Sequence, residues 1–132
     1  MFEKYSNSFL KDFDINKILS KINKKFISLG QSTLVYAEDD PVKNIYFILS
    51  GKVDIRKLIN EKNESLGFMG PGELIGVEDA LTCVHYSKSV FTLQQTDLIS
   101  VRKNDFLILI ELDDNFRLWI LKYLSLRIRS RS

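Results

Sequence analysis

The residues best suited to hold a ligand fall in one stretch, Gly67 to Ser89, which reads GFMGPGELIGVEDALTCVHYSKS. Its first ten residues include four glycines and Pro71, and Glu78, Ser87, Lys88 and Ser89 follow. Glycine reaches backbone angles that other residues avoid and lets a ligand approach the main chain closely. A tight turn leading into a short helical turn presents N–H groups, and such a turn is a cradle for an anion. The stretch therefore reads as a phosphate-sized pocket or as the remnant of one. Gly70, Gly72 and Gly76 fit a plain turn between two strands equally well.

Other chemistries are poorly supplied. Cys83 is the only cysteine, which excludes an internal disulfide and fits a reducing cytoplasm. It reads as a small half-buried residue rather than a reactive thiol. His85 is also alone, so a metal site would need carboxylates for most of its ligands. A metal-bearing barrel enzyme needs a histidine cluster, and no catalytic or metal-ligating residue is assigned. The net charge of +2 is too small to argue for nucleic acid or an anionic membrane, and Arg127, Arg129 and Arg131 cluster only at the C-terminal end. No run approaches the roughly 18 apolar residues of a membrane helix. MFEKYSNSFLKDF lacks the apolar core and cleavage site of a signal peptide. A soluble cytoplasmic protein is expected.

The elements that must position the ligand stretch can be read in order. Ser8 to Lys24 places Phe9, Leu10, Phe13, Ile15, Ile18, Leu19 and Ile22 at mixed three- and four-residue steps, which predicts an amphipathic helix. From Phe26 the period changes. FISLGQSTLVYAEDDP reads as strand, turn, strand, turn, and NIYFILSGKVDIR (44–56) is the strongest strand signal. INEKNES reads as a hairpin tip, with the strand resuming at Leu66. SKSVFTL and LISVR give two more strands. Many short strands with turns between them point to a barrel or sandwich. Asn104 then looks like a helix cap, FLILIEL like a short helix, and Asp113-Asp114-Asn115 like a second cap. The last helix, Phe116 to about Arg129, is apolar nearly all round. Trp119, Tyr123 and Leu126 share one stripe, and Phe116, Ile120 and Leu124 an adjacent one. One small barrel covers one stripe, so a second copy of the chain is expected to cover the other.

This order of elements resembles the cyclic nucleotide-binding domain. AEDDPVKNIYFILSGKVDI is similar to that family's strand-turn-strand signature, with Gly51 in place of its glycine. GPGELIGVEDAL resembles the start of its phosphate-binding cassette, and RKNDFLILIELDDNFRLWILKYLSLRIRS resembles its hinge and dimer helices. The resemblance implies a mainly β fold: a jelly-roll (double-stranded β-helix) barrel with one N-terminal helical segment and two C-terminal helices. The divisions would be 1–25, 26–102 and 103–132 within one domain. It is similar to the sensor domains of catabolite activator and fumarate-nitrate regulator type regulators. Those continue into a helix-turn-helix domain, so the chain is either a stand-alone sensor or part of a longer protein.

The family's cassette has Gly-Glu, whose carboxylate holds the ribose hydroxyl, and an arginine about ten residues on for the cyclic phosphate. Here Val77 follows Gly76 and the carboxylate comes at Glu78. Counting back from Asp97-Leu98 puts Tyr86 at the arginine position, whereas counting forward from Glu78 puts Lys88 there. No arginine lies between Arg56 and Arg102. Lysine offers a point charge without the bidentate fork. The implied function is a non-catalytic regulatory sensor for a cyclic nucleotide (cAMP or cGMP) or another small anion. Gly76, Val77, Glu78, Ser87, Lys88 and Ser89 would be its ligand residues. It would relay binding through a C-terminal helix that forms a homodimer by Phe116, Trp119, Ile120 and Tyr123, toward an effector domain or partner outside this chain. The alternative is a degenerate domain without nucleotide, serving dimerisation or protein interaction.

Overall fold

The structure, a computed structural model, describes residue 17 and residues 19–131, with side chains described as far as Arg129. Of the helix expected over Ser8 to Lys24, residues 8–16 and 18 lie outside these residues; Lys17 and Leu19 are helical, but the chain turns at Ser20 and Lys21 and does not continue as a helix to Lys24. The chain forms two compact units, one of Lys24–Lys103 and the other made of the residues on either side of it.

The first unit holds eight strands among the described residues, in two four-stranded antiparallel sheets. They are β1 (Lys25–Leu29), β2 (Leu34–Tyr36), β3 (Asn44–Ser50), β4 (Val53–Ile59), β5 (Lys62–Met69), β6 (Leu74–Ile75), β7 (Ser89–Thr92) and β8 (Thr96–Arg102). One sheet has the order β1-β8-β3-β6 and the other β2-β7-β4-β5, so sequence neighbours repeatedly fall in different sheets. This is the jelly-roll arrangement. The apolar run Ile45 to Ile48 is buried at every position, as a central strand covered on both faces requires. Val53, Val90 and Met69 from one sheet and Leu98, Ile99 and Val101 from the other complete the core.

Two backbone devices hold the strands in register. At the end of β3 the pairing with β8 shifts between Ile48 and Ser50, and Gly51 follows at φ +99°. A Cβ at Gly51 would collide with Thr96 and with the backbone of Gln95, so only glycine fits the bend. The β4–β5 hairpin is tighter than the loop read from the sequence. Asn60 and Glu61 both have positive φ, Ile59 pairs with Lys62, and β5 starts at Lys62 rather than Leu66. Two left-handed residues match the twist of the flanking strands, so the polar segment could pair instead of looping.

Among the described residues the second unit is mainly helical. Helix α1 (Val77–Thr82) belongs to the strand unit, while α2 (Lys103–Leu112, from its second residue) and α3 (Asp114–Arg131) belong to the helical one. Asn104 lies inside the first turn of α2 rather than capping it. Asp113 does cap α3: its carboxylate accepts the Phe116 N–H at 2.9 Å and pairs with Lys21 at 3.0 Å. Phe106, Phe116, Trp119 and Tyr123 form a chain of ring contacts, edge-on at 5.5 Å and then stacked at 6.2 and 5.6 Å.

These rings overturn one expectation. Phe116, Trp119, Ile120 and Tyr123, assigned above to a dimer face, are 0–3% exposed in the single chain and are not available to a second copy. The exposed apolar side chains of α3 are Leu118, Leu121 and Ile128, at 52, 57 and 68%. Burial thus selects a different face of the helix from the one the aromatic content favoured. Cys83 is exposed rather than half-buried.

Candidate functional site

The glycine-rich turn is docked on the barrel by its own backbone. Gly72 N–H donates to the Ile48 carbonyl at 2.9 Å, and Ile48 N–H returns to the Glu73 carbonyl at 2.9 Å. The Glu73 carboxylate accepts the Gly70 N–H at 2.7 Å. β6 then pairs Leu74 and Ile75 with Phe47 and Tyr46. Gly76, at φ +90°, turns the chain into α1.

The space beside Gly76 is aromatic. A Cβ there would lie 3.3 Å from the Tyr86 ring and 3.4 Å from the Asn44 carbonyl oxygen. The Tyr86 hydroxyl donates to the Asn44 carbonyl at 2.5 Å and accepts the Asn44 N–H at 3.2 Å. Its ring lies 3.6 Å from that of Tyr36, nearly parallel at 10°, and Tyr36 in turn stacks on Tyr46 at 6.2 Å. Tyr86 is 3% exposed. Burial pushes the Tyr86 phenol up to about 12. Tyr36 is raised further, first by burial and then by the neighbouring Tyr86, Asp79 and Glu78. The stack is therefore made of neutral phenols.

The polar half of the site is built around Ser87. One oxygen of the buried Asp79 carboxylate accepts the Ser87 N–H at 2.9 Å and the Ser87 hydroxyl at 3.1 Å. The Ser87 carbonyl accepts from Lys57 Nζ at 2.8 Å, and the same ammonium pairs with Glu38 at 3.3 Å. Glu38 also accepts the Leu58 N–H at 3.0 Å, which together with Lys57 holds its carboxyl below the usual range. Ser89 Oγ accepts the Glu38 N–H at 2.8 Å.

Each residue proposed from the sequence can now be placed. Gly76, Val77 and Glu78 form the entry and first turn of α1, with Val77 fully buried and Glu78 half-buried. Ser87, Lys88 and Ser89 run into β7 and are half-buried. The two groups meet through Asp79 and Ser87. Of the two positions that counting left open for the family's arginine, Tyr86 is the one whose side chain lies against Gly76. Asp79, Tyr36, Asn44, Lys57 and Glu38 were not identified from the sequence. No local spacing pairs residue 36 with 86; the β2–β7 register brings them together by matching Tyr36 with Val90. Among the described residues no three His, Cys, Asp or Glu side chains cluster as metal ligands.

The sequence matches the profile of the family described as cyclic nucleotide-binding domain over residues 26–113. It is 26% identical over 98 residues to the cyclic AMP receptor protein of Thermus thermophilus, covering 74% of this chain and 44% of that protein. The chain thus spans less than half the length of that relative. Among solved structures it is similar to the Thermus thermophilus catabolite activator protein, with a TM-score of 0.73, 24% identity, and 89% of this chain and 55% of that one covered. It is also similar to the c-di-GMP-responsive global regulator CLP of Xanthomonas campestris, with a TM-score of 0.78, 20% identity, and 89% and 57% covered. At these identities the structural likeness speaks for the fold.

Proposed function

Because this chain belongs to the cyclic nucleotide-binding domain family, we propose that it is a non-catalytic regulatory domain whose cassette is closed to cyclic nucleotides. The observation that carries this reading is Tyr86, buried on Tyr36 and bonded twice to Asn44, at one of the positions where family members place the phosphate-binding arginine. A phenol supplies no positive charge and no bidentate fork. Val77 stands where the ribose-binding carboxylate would be, and it is wholly buried. Ser87 and Ser89, expected to hold phosphate, are engaged within the protein.

The output runs through α3 to an effector domain or partner outside this chain, in the cytoplasm and without nucleic-acid contact by these residues. No helix among the described residues is long and apolar enough to cross a membrane. Homodimerisation fits the exposed stripe of α3, where Leu118, Leu121, Ser125 and Ile128 recur at three-, four- and three-residue steps, the spacing of a coiled-coil seam.

Calorimetric titration with cAMP and cGMP tests the closed cassette. The expected result is no saturable binding tighter than about 100 µM. Submicromolar binding that is lost in Lys88→Ala would overturn it. It would favour the second reading, a working site in which Lys88 replaces the arginine as a point charge.

A further inference from the structure

The carboxylate of Asp79 sits where a phosphate receptor would keep its donors free. Asp79 as a residue is 8% exposed, and both Ser87 donors, the backbone N–H and the hydroxyl, converge on a single oxygen of its carboxylate. Two hydrogen bonds from adjacent N–H and O–H groups to one anionic oxygen are how a protein cradles an oxyanion. We infer that Asp79 is an internal anion that fills the cassette's oxyanion cradle and keeps it shut, so that the domain carries its own tethered occupant. This rests on the closed-cassette reading and adds the group that does the closing on the phosphate side.

Three further observations agree. Lys57 Nζ lies 2.8 Å from the Ser87 carbonyl, so a cation of the kind an oxyanion needs is at hand, but it is paired with Glu38. The phenol of Tyr36 is raised first by burial and Tyr86 and then by Asp79 and Glu78, in keeping with carboxylates that lie near the aromatic side of the cassette as well. The contact also spans the loop that follows α1. Asp79 belongs to the helix and Ser87 to the approach to β7, while the Asp79 carbonyl accepts the Cys83 N–H at 2.8 Å. A tethered acceptor meets its donors at a high effective concentration, so an external phosphate starts at a disadvantage in addition to the charge repulsion.

The test is a titration of the full chain with inorganic phosphate and with cAMP, followed by the Ser87 amide resonance. The wild type, Asp79→Asn and Asp79→Ala are compared. Asn keeps an acceptor for the Ser87 N–H and removes the charge; Ala also frees the donors. The expected result is a saturable shift of the Ser87 amide in Asp79→Ala, with phosphate affinity at least roughly tenfold above the wild type, and a smaller gain in Asp79→Asn, which loses the charge but keeps an acceptor. Circular dichroism at the wild-type level certifies the fold. Folded variants that bind phosphate no better than wild type would overturn the internal-anion assignment and leave the closed-cassette reading intact. Cyclic AMP binding by the wild type that shifts Ser87 would instead overturn that reading. The wild type carries a readout of its own: the Ser87 amide must exchange with solvent slowly, and exchange at the rate of an open loop removes the contact on which the inference stands.

Discussion

At the scale of single residues, Gly76 and Tyr86 explain one another. The left-handed glycine that leads into α1 lies against a tyrosine ring. Gly76→Ala must place a Cβ in a left-handed conformation and push on Tyr86 and Asn44, and it is expected to cost at least about 1–2 kcal/mol. In a Tyr86→Ala background the part due to the Tyr86 ring should vanish, leaving the backbone part and the Asn44 carbonyl contact, which a double-mutant cycle by urea denaturation resolves. Tyr86→Phe keeps the stack and strips both hydrogen bonds from Asn44, for an expected loss of about 1–3 kcal/mol with an unchanged denaturant slope. Gly76 was legible in the sequence because glycine in a turn has a short list of reasons. Asp79 was not, because a buried acceptor eight residues from its donor leaves no periodic signal.

Elements were more legible than the contacts between them. Alternating and continuous apolar runs located the strands apart from the two-residue β6, which lay inside the glycine-rich stretch, and a polar run hid the start of β5. Periodicity reports burial, and Lys62 to Ser65 are exposed although they pair. The Asp113 cap was legible as well. Its carboxyl is held below the usual range by the Phe116 N–H first and then by Lys21, and Glu38 is lowered in the same sense. A carboxyl depressed in the folded state stabilises above its unfolded value near 4, and that contribution is lost as pH falls through the lower folded value. Thermal midpoints should therefore fall below about pH 4. Asp113→Asn retains a capping side chain, so it should nearly preserve the midpoint at pH 7 while flattening the acid limb. An acid limb as steep as the wild type's would remove Asp113 from the account.

For the whole molecule, the helical unit separates two kinds of apolar residue that look alike in sequence. Trp119→Ala empties a buried site and should destabilise the chain by about 3–5 kcal/mol, seen as a lower melting temperature at any protein concentration. Leu121→Glu changes an exposed position and should leave melting of the monomer nearly untouched while abolishing a dimer in sedimentation. Equal sedimentation of Leu121→Glu and wild type would exclude that stripe as the contact. The helix is apolar nearly all round, so its sequence could not say which stripe was covered; only three-dimensional burial divides them. The stacked tyrosines carry a last consequence. Two phenol rings 3.6 Å apart and nearly parallel couple their transitions, and the protein's one indole, Trp119, lies in the other unit. Near-ultraviolet dichroism of the tyrosine bands thus carries a contribution from the cassette beside that of Tyr123, which stacks on Trp119: a ligand that displaces Tyr86 should lower it, Tyr86→Phe identifies the cassette's share, and no label has to be added.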